Sequence, residues 1–380
     1  MQNDAPNSHR SNDAPRSATA RPPSTKLEFS LALVLSGGNA LGAYQAGAYE
    51  AICDHGLEPD WVAGASAGAI NGAIICGNPT DQRIPALRSL WKPASDAPQT
   101  HAWPLLEKAR RTAAAAWTLS TGRLDLFMPR HLLGPWWNPS GSAEPSSLYD
   151  ATPLRNTVER LVDFNLLNRG TPRFSATAVD IETGDDVVFD TRMQCVEPDH
   201  LRASSALLPV FPPIDIDGRL FGDAGISSNL PLDVVLSEVS QQPLLCIAID
   251  LLPLRAPKPN TLGDTAARMQ DLIFATQSRR AIAAWQAIFD ERAHRGDAAS
   301  VTIMHIVYAA QSEEVSGKGF DFSSRSAGMR WQAGYVDMAK ALAVLQEGKL
   351  SIGEPGLALY TRNETGPVER VRWAISPHQG

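Results

Sequence analysis

Apolar runs of strand type alternate with amphipathic segments along most of the chain. The runs are short and rich in Val, Ile, Leu and Ala, as expected for strands buried on both faces of a sheet. Strands are predicted at 29–35, 59–63, 173–180, 186–190, 214–221, 244–251 and 301–309. Helices are predicted after the first two strands and at 82–91, 153–163, 231–239, 261–294 and 326–346. This alternation predicts an α/β fold in three layers, with a central, mostly parallel sheet and helices on both faces.

The distribution of polar and small residues indicates one domain between two tails. Residues 1–28 contain no apolar run, which predicts disorder, and no hydrophobic segment follows their charges as a secretory signal requires. The core is expected at 29–240, and 241–350 is expected to complete the same domain. A C-terminal tail is expected at 351–380. Within the core, 96–150 stands apart as an insertion in which aromatic residues fall among prolines and serines.

Composition limits the classes of partner. The chain has 380 residues, is 43% hydrophobic and carries a formal net charge of −7, so it can bury a large core. An acidic body argues against nucleic acid as a partner and against purely electrostatic docking on anionic membranes. No apolar stretch reaches the ~18 residues of a membrane span. The four cysteines are widely spaced without a Cys-x-x-Cys motif, which favours free thiols in a reducing compartment. We therefore expect a cytoplasmic protein and leave peripheral membrane contact open.

The pentapeptide Gly-Ala-Ser-Ala-Gly at 64–68 is the strongest chemical signal. It lies between an apolar run and a segment of small residues, which predicts a strand, a sharp turn and a helix, with Ser66 at the apex. Such a turn strains the serine backbone and exposes its hydroxyl, and Gly64 and Gly68 let the strand and helix approach closely. Taken alone, Gly-x-Ser-x-Gly is a weak signal, because helix-capping serines in tight turns also match it.

A glycine-rich loop at 36–42 follows the apolar run 31–35 and precedes a helical pattern. Free N–H groups at the start of a helix favour negative charge, either a phosphate or a developing oxyanion. The dinucleotide fingerprint requires glycine where Asn39 stands, and the Walker pattern is absent, so nucleotide cofactors are disfavoured. Asparagine tolerates left-handed backbone, so the Asn39 N–H can still point inward. A plain strand-to-helix turn remains the alternative for this loop in isolation.

A third motif, Phe-Gly-Asp-Ala-Gly at 221–225, follows a predicted strand pair joined by an Asp-Gly turn. An aspartate between small residues at a strand end can approach another backbone closely. For Asp223 alone, an Asx turn or a helix cap is the simpler interpretation. The combination with the two preceding motifs favours a chemical role for Asp223 over these structural ones.

The three motifs, in this order, resemble the patatin-like phospholipases. The block at 203–213 is similar to the family block that precedes the aspartate, and blocks at 321–326 and 330–335 resemble a C-terminal block of one bacterial branch. The resemblance covers roughly residues 29–345, and ordered blocks over such a span are far more specific than any single motif. Without that match, Asp321, Arg325 and Arg330 would be interpreted as a surface charge pair.

The resemblance implies a patatin-like fold and a lipid acyl hydrolase with a serine–aspartate dyad. Ser66 would be the nucleophile and Asp223 the general base. The resemblance and the loop together give candidate oxyanion-hole residues Gly37, Gly38, Asn39 and Gly42. No metal or organic cofactor is implied. The expected partner is a lipid or ester substrate, with glycerophospholipid suggested by the family and neutral glycerides, short esters and polyesters left open.

Two alternatives and one structural hypothesis accompany this interpretation. A serine esterase or thioesterase could use a histidine as base, and His294 and His305 follow the serine and aspartate in a suitable order. A non-catalytic lipid-binding protein of the same fold is the second alternative, because Asn39 and Ala224 replace glycines that the family usually carries. The insertion at 96–150 is expected to form either a cap over an acyl-chain groove or a satellite hydrophobic cluster.

Overall fold

The computed structural model describes residues 28–91, 106–130, 147–239, 242–362 and 366–373. The strands in these ranges are β1 Ser30–Leu35, β2 Trp61–Ala65, β3 Met128–Pro129, β4 Tyr149–Asp150, β5 Arg173–Asp180, β6 Asp186–Asp190, β7 Ile214–Ile216, β8 Arg219–Asp223, β9 Leu244–Asp250, β10 Ser300–Val307, β11 Gly356–Arg362 and β12 Val368–Val371. The helices are α1 Ala43–Asp54, α2 Ala67–Cys76, α3 Thr80–Trp91, α4 Glu107–Thr121, α5 Thr152–Leu161, α6 Phe164–Leu167, α7 Pro198–Ser204, α8 Leu232–Leu236, α9 Leu262–His294 and α10 Ser324–Gln346.

A central sheet organises the described residues in the order β12-β11-β10-β9-β1-β2-β5-β8-β7, with β6 also paired to β5. The run from β11 to β5 is parallel throughout, whereas β12, β6, β8 and β7 are antiparallel to their neighbours. The predicted α/β class with a mostly parallel sheet is therefore confirmed. β1 lies in the middle of the sheet, so the loop that follows it is placed at the centre of one sheet edge.

Alternate residues of β1 enter two separate cores. Leu31, Leu33 and Leu35 pack with residues of α1, α2 and α10 on one face, whereas Ala32 and Val34 pack with α8 and α9 on the other. This is the period-two alternation of a strand covered on both sides. Each fully buried leucine of this kind stabilises the fold by about 1.5–3 kcal/mol relative to an exposed one. The helices on both faces give the three layers that the sequence predicts.

The C-terminal strands correct the sequence-based organisation. Residues 351–380 are expected as a tail, but β11 pairs with β10 in parallel and β12 with β11 in antiparallel, so both belong to the central sheet. The misassignment has a simple cause: β11 is one short apolar run, and it follows a segment rich in glycine and proline that is typical of a loop. The predicted N-terminal tail falls almost wholly on residues 1–27, outside the described residues.

A buried ionic network joins the C-terminal block to the glycine-rich loop. The Arg330 guanidinium is fully buried, pairs with Glu314 at 2.8 Å and donates to the carbonyl oxygens of Ala40 at 3.2 Å and Asp321 at 2.7 Å. Burial alone would raise the pKa of Glu314, but the nearby guanidinium groups outweigh it and bring that pKa to about 2. Arg330 is therefore a buried residue of the C-terminal block, not the surface cation that it would suggest without the family resemblance. Arg325, by contrast, is half-exposed and forms an ion pair with Glu107 at 3.3 Å.

Candidate active site

Ser66 occupies the turn between β2 and α2. Its backbone has φ 54° and ψ −124°, a conformation that costs a non-glycine residue on the order of 1–3 kcal/mol. A Cβ at Gly64 would lie 2.5 Å from the backbone of Gly68, and a Cβ at Gly68 would collide with the Leu35 carbonyl, so neither position admits a side chain. The Ser66 N–H donates to the Ser204 hydroxyl at 3.0 Å. The strained turn and the two packing glycines agree with the sequence prediction.

Asp223 is the last residue of β8, which runs antiparallel to β5, and it lies at the same height along the sheet as Ser66. Ala65, the residue before Ser66, pairs with Thr177 of β5, and Asp223 pairs with Ala178, the next residue of β5. Because β8 starts beyond the end of β5 and runs back along it, its last residue is level with the serine. Ser66 and Asp223 therefore line the same cavity, and the serine hydroxyl is close enough to the carboxylate to lower its pKa.

The environment of Asp223 changes its acidity. Desolvation by burial is the largest influence and raises its pKa, whereas hydrogen bonds from the Ser66 hydroxyl and the Gly225 N–H lower it, and the result is a pKa of about 6. The Gly225 N–H lies 2.7 Å from Asp223 Oδ1. A carboxylate with this pKa is ionised at neutral pH yet basic enough to accept a proton, which is the range suited to a general base.

The glycine-rich loop is fastened at Gly37. Its N–H donates to the Asn229 carbonyl oxygen at 3.0 Å, and Asn229 Nδ2 donates to the Gly37 carbonyl oxygen at 3.2 Å. The prediction of Gly37 as an oxyanion donor is therefore wrong, because its N–H is already used. Within the described residues, the N–H groups of Gly38 and Asn39 have no acceptor, and both residues line the cavity beside Ser66. Asn39 adopts φ 51°, the left-handed conformation that asparagine tolerates.

Gly42 has a packing role instead of the predicted oxyanion role. It ends a short 3₁₀ turn, Asn39–Gly42, and it does not line the cavity. A Cβ there would lie 2.5 Å from the Trp91 ring, and its carbonyl oxygen accepts from Asn71 Nδ2 at 3.0 Å. Ala67, the residue after the serine, lines the cavity at the start of α2 and is a further candidate donor. The rule that the residue after a nucleophile supplies an oxyanion N–H could have identified it.

Several buried polar residues that hold the site were not predicted. Asn229 clamps the glycine-rich loop, and Ser204 fixes the Ser66 backbone. Gln45 donates to the Ser36 carbonyl oxygen at 2.7 Å and accepts from Asn71 at 3.0 Å, which anchors the loop to α1 and α2. Gln45 and Asn71 are isolated polar residues in apolar helical segments, and this pattern is the signal that could have identified them.

The serine opens into an apolar cavity. Its walls come from α2, α3 and α5, from the first half of α9 and from loops at the sheet edge. The apolar lining includes Ile70, Leu90, Trp91, Leu126, Phe127, Leu154, Phe211, Phe274 and Phe322. Leu126 and Phe127 belong to the predicted insertion at 96–150, so its described part contributes to the wall. Trp136 and Trp137 of that insertion lie outside the described residues, and a mobile cap stays a prediction.

The histidines of the described ranges are placed away from the cavity. His294 Nδ1 contacts the Asp290 carbonyl oxygen at 2.6 Å near the end of α9, and His305 on β10 lies 3.6 Å from Asp250. None of the residues that line the cavity in the described part of the chain is a histidine. His9, His101, His131 and His378 lie outside the described residues.

A strained serine between a strand and a helix, beside a buried carboxylate and free main-chain amides, is an arrangement typical of α/β serine hydrolases. The chain belongs to the patatin-like phospholipase family, a family of lipid acyl hydrolases: the model of that family matches residues 33–236. A second family model, described as patatin phospholipase, matches residues 267–348. A comparison with curated proteins gives no match.

Solved structures provide distant likenesses. VipD from Legionella pneumophila matches at 13% identity with a TM-score of 0.38, over 83% of this chain and 67% of VipD. The type III effector protein ExoU matches at 15% identity with a TM-score of 0.33, over 86% of this chain and 54% of ExoU. The chain thus spans about two thirds of the first structure and about half of the second.

In the described part of the chain, no helix is both long enough and apolar enough to cross a bilayer. In the same ranges, no three His, Cys, Asp or Glu side chains form a group that could hold a metal ion.

Proposed function

We propose that the protein hydrolyses lipid esters with Ser66 as nucleophile and Asp223 as general base. The observation that carries the proposal is the placement of Ser66 and Asp223 in one cavity, where the serine hydroxyl influences a buried carboxylate whose pKa is raised to about 6. A serine hydroxyl becomes a useful nucleophile only when a positioned base accepts its proton. The adjacent apolar cavity has the chemistry of an acyl-chain site, which supports a lipid substrate over a small polar ester.

The reaction follows from the positions of these groups. Ser66 Oγ attacks the ester carbonyl carbon while Asp223 accepts the hydroxyl proton. The negative charge that develops on the carbonyl oxygen is stabilised by the free N–H groups of Gly38 and Asn39, with Ala67 as a further donor. The C–O bond breaks, Asp223 returns the proton to the leaving alcohol, and an acyl-serine remains. Water then attacks the acyl carbon, Asp223 takes its proton, and the carboxylic acid is released as Ser66 is reprotonated.

The base can be identified by comparing matched substitutions. We expect Asp223→Ala to reduce hydrolysis of a soluble ester such as p-nitrophenyl butyrate on the order of 10³-fold or more, because the serine proton then has no acceptor. His294→Ala and His305→Ala should each stay close to the wild-type rate. The measurement is kcat/KM for the three variants. If a histidine variant lost as much activity as Asp223→Ala, the histidine-dependent alternative would replace the proposed dyad.

Arg202 supports a phosphate-bearing substrate. Its side chain lines the cavity, its Nη1 pairs with Asp199 at 2.7 Å, and its buried Nε has no hydrogen-bond partner among the described residues. A guanidinium group at the cavity wall can donate charged hydrogen bonds to a phosphate oxygen of a phospholipid. Within the family activity, this favours glycerophospholipid over neutral glyceride as the substrate class.

The surface residue Arg155 supplies a matched control for Arg202. Both guanidinium groups pair with Asp199, but Arg155 does not line the cavity. We expect Arg202→Gln to raise KM about tenfold for a short-chain phosphatidylcholine kept below its micelle concentration, because a charged hydrogen bond is lost. KM for p-nitrophenyl butyrate should change less than about twofold, and Arg155→Gln should leave both substrates unaffected. Equal losses on the two substrates with Arg202→Gln would argue against a phosphate contact.

A further inference from the structure

The first half of α9 presents apolar side chains to solvent. Leu262, Met269 and Ile273 are 88%, 59% and 49% exposed, and Leu272 beside them is 39% exposed. With the exposed Ala266, the residues 262, 266, 269 and 273 follow helical spacing and therefore form one stripe. A surface helix normally turns such a stripe towards the core, so this stripe points to an interaction surface.

The stripe is continuous with the mouth of the Ser66 cavity. Gln270 and Phe274, on the neighbouring face of α9, line that cavity. Gln277 Nε2 donates to the Gly225 carbonyl oxygen at 3.2 Å, and this fixes α9 beside the turn that follows Asp223. Ile226, in that same turn, is 49% exposed. Whatever covers the stripe will therefore also lie against the opening to the serine.

Basic residues surround the stripe although the chain as a whole is acidic. Arg255 and Lys258 are exposed just before α9, and Arg280 is exposed seven residues after Ile273, on the same side of the helix. Within the described ranges, these three cations form no ion pair with a carboxylate. Between 255 and 280 the exposed acid is Asp264, since Asp271 is buried against Lys318. The exposed charge of residues 255–280 is thus positive, on a chain whose formal net charge is −7.

We propose that this surface docks on an anionic lipid bilayer. The α9 surface consists of Ile226, Leu262, Met269, Leu272 and Ile273 with Arg255, Lys258 and Arg280 at its border. Partial insertion of the apolar side chains would bury them at the headgroup boundary, and the basic residues would be attracted to the anionic leaflet. This orientation places the mouth of the cavity at the lipid surface. The inference rests on the proposed function, because it takes the lipid as the substrate of the same site.

A second copy of the chain is the competing occupant, and the charges disfavour it. A symmetric dimer brings the same patch of both chains together, which would oppose Arg280 and its neighbours to their own copies. An anionic headgroup layer, by contrast, complements them. The bilayer therefore accounts for both the apolar stripe and its basic border.

Binding should be measured in the Ser66→Ala chain, so that hydrolysis does not alter the vesicles. We expect this chain to co-sediment with vesicles of phosphatidylcholine mixed with phosphatidylglycerol more than with phosphatidylcholine alone. Ile273→Asp added to it should weaken that binding about tenfold or more, since a carboxylate would have to enter an apolar and anionic layer. Ile288→Asp is the matched control: Ile288 is 45% exposed on the same helix, about 22 Å farther along its axis. This control should bind like the parent.

Three results would overturn the proposal. These are unchanged binding with Ile273→Asp, equal loss with Ile288→Asp, or a dimer in light scattering that Ile273→Asp dissociates while vesicle binding persists. Thermal unfolding of each variant shows whether the fold is intact, and Met269→Ser offers a milder second substitution that should weaken binding in the same direction. Because binding is scored without turnover, failure of the Ser66–Asp223 chemistry would leave these results unchanged, and the two failures are distinguishable.

Discussion

Ser66→Ala is expected to abolish labelling by a fluorophosphonate probe and to reduce ester hydrolysis on the order of 10⁴-fold or more. The probe phosphonylates only a serine whose proton is removed as it attacks, and Ser66 lines the cavity together with the buried Asp223 carboxylate. Labelling is read by in-gel fluorescence, and hydrolysis by release of p-nitrophenol from a soluble ester.

Ser205 provides the comparison within the same cavity. It also lines the space around Ser66, but its hydroxyl donates to the Leu201 carbonyl oxygen at 2.7 Å and not to a carboxylate. Ser205→Ala should therefore retain labelling. A wild-type chain that takes no label and hydrolyses no ester would instead support the non-catalytic lipid-binding alternative.

Asp223→Asn is the second substitution with a large expected effect, and it should separate activity from stability. The amide can still accept from the Gly225 N–H, so the local structure is kept, but it cannot take the Ser66 proton. We expect kcat/KM to fall on the order of 10³-fold or more. For the wild-type chain, activity on a soluble ester should rise with pH through an apparent pKa of about 6, because only the ionised carboxylate acts as base.

The same substitution should stabilise the fold at pH 8. The pKa of Asp223 is about 6 in the folded chain against an ordinary value of 3.8, so between these values the folded state binds more protons than the unfolded state. The free energy of unfolding of the wild type therefore falls as pH rises from about 4 to 6. Above about pH 6 the carboxyl is ionised in both states, and this loss of stability is complete. Each pKa unit corresponds to about 1.4 kcal/mol, so a neutral amide should gain a few kcal/mol at pH 8 and little at pH 4.

Urea unfolding of both chains at several pH values measures this difference. A gain that grows between pH 4 and pH 6 and then levels off is the expected result. If Asp223→Asn were less stable than the wild type at pH 8, the carboxylate would be contributing to the fold instead of straining it, and the desolvated base would be ruled out.

The sequence predicts which residues carry the chemistry of the site better than it predicts how the fold positions them. Ser66, Gly64 and Gly68 were identified because a strand-turn-helix with a strained serine requires small residues at fixed spacing. The register of β8 against β5 decides where along the sheet Asp223 lies relative to Ser66. That antiparallel register joins residues far apart in the sequence and is set by tertiary packing. Motif order therefore indicates the partners, while only the structure gives their geometry.

Errors arose where one residue type serves two purposes. Gly37 and Gly42 fit an oxyanion loop by sequence, but Gly37 uses its N–H on Asn229 and Gly42 provides room for Trp91. A glycine needed for close packing looks the same in a sequence as one needed for a free N–H. In a similar way, Arg330 reads as a surface cation until the fold buries it against Glu314.

The position of β9 has a practical consequence for dividing the polypeptide. The family match ends at residue 236, but β9, which follows it, hydrogen-bonds along the whole of β1. Leu251, just beyond β9, packs against Gly38, and its N–H donates to the Ser36 hydroxyl at 3.0 Å. A fragment that ends at the boundary of the match would lack β9, so β1 would have an unpaired edge next to the glycine-rich loop at 36–42. Expression of an isolated N-terminal half should therefore yield an aggregating chain, not a minimal enzyme.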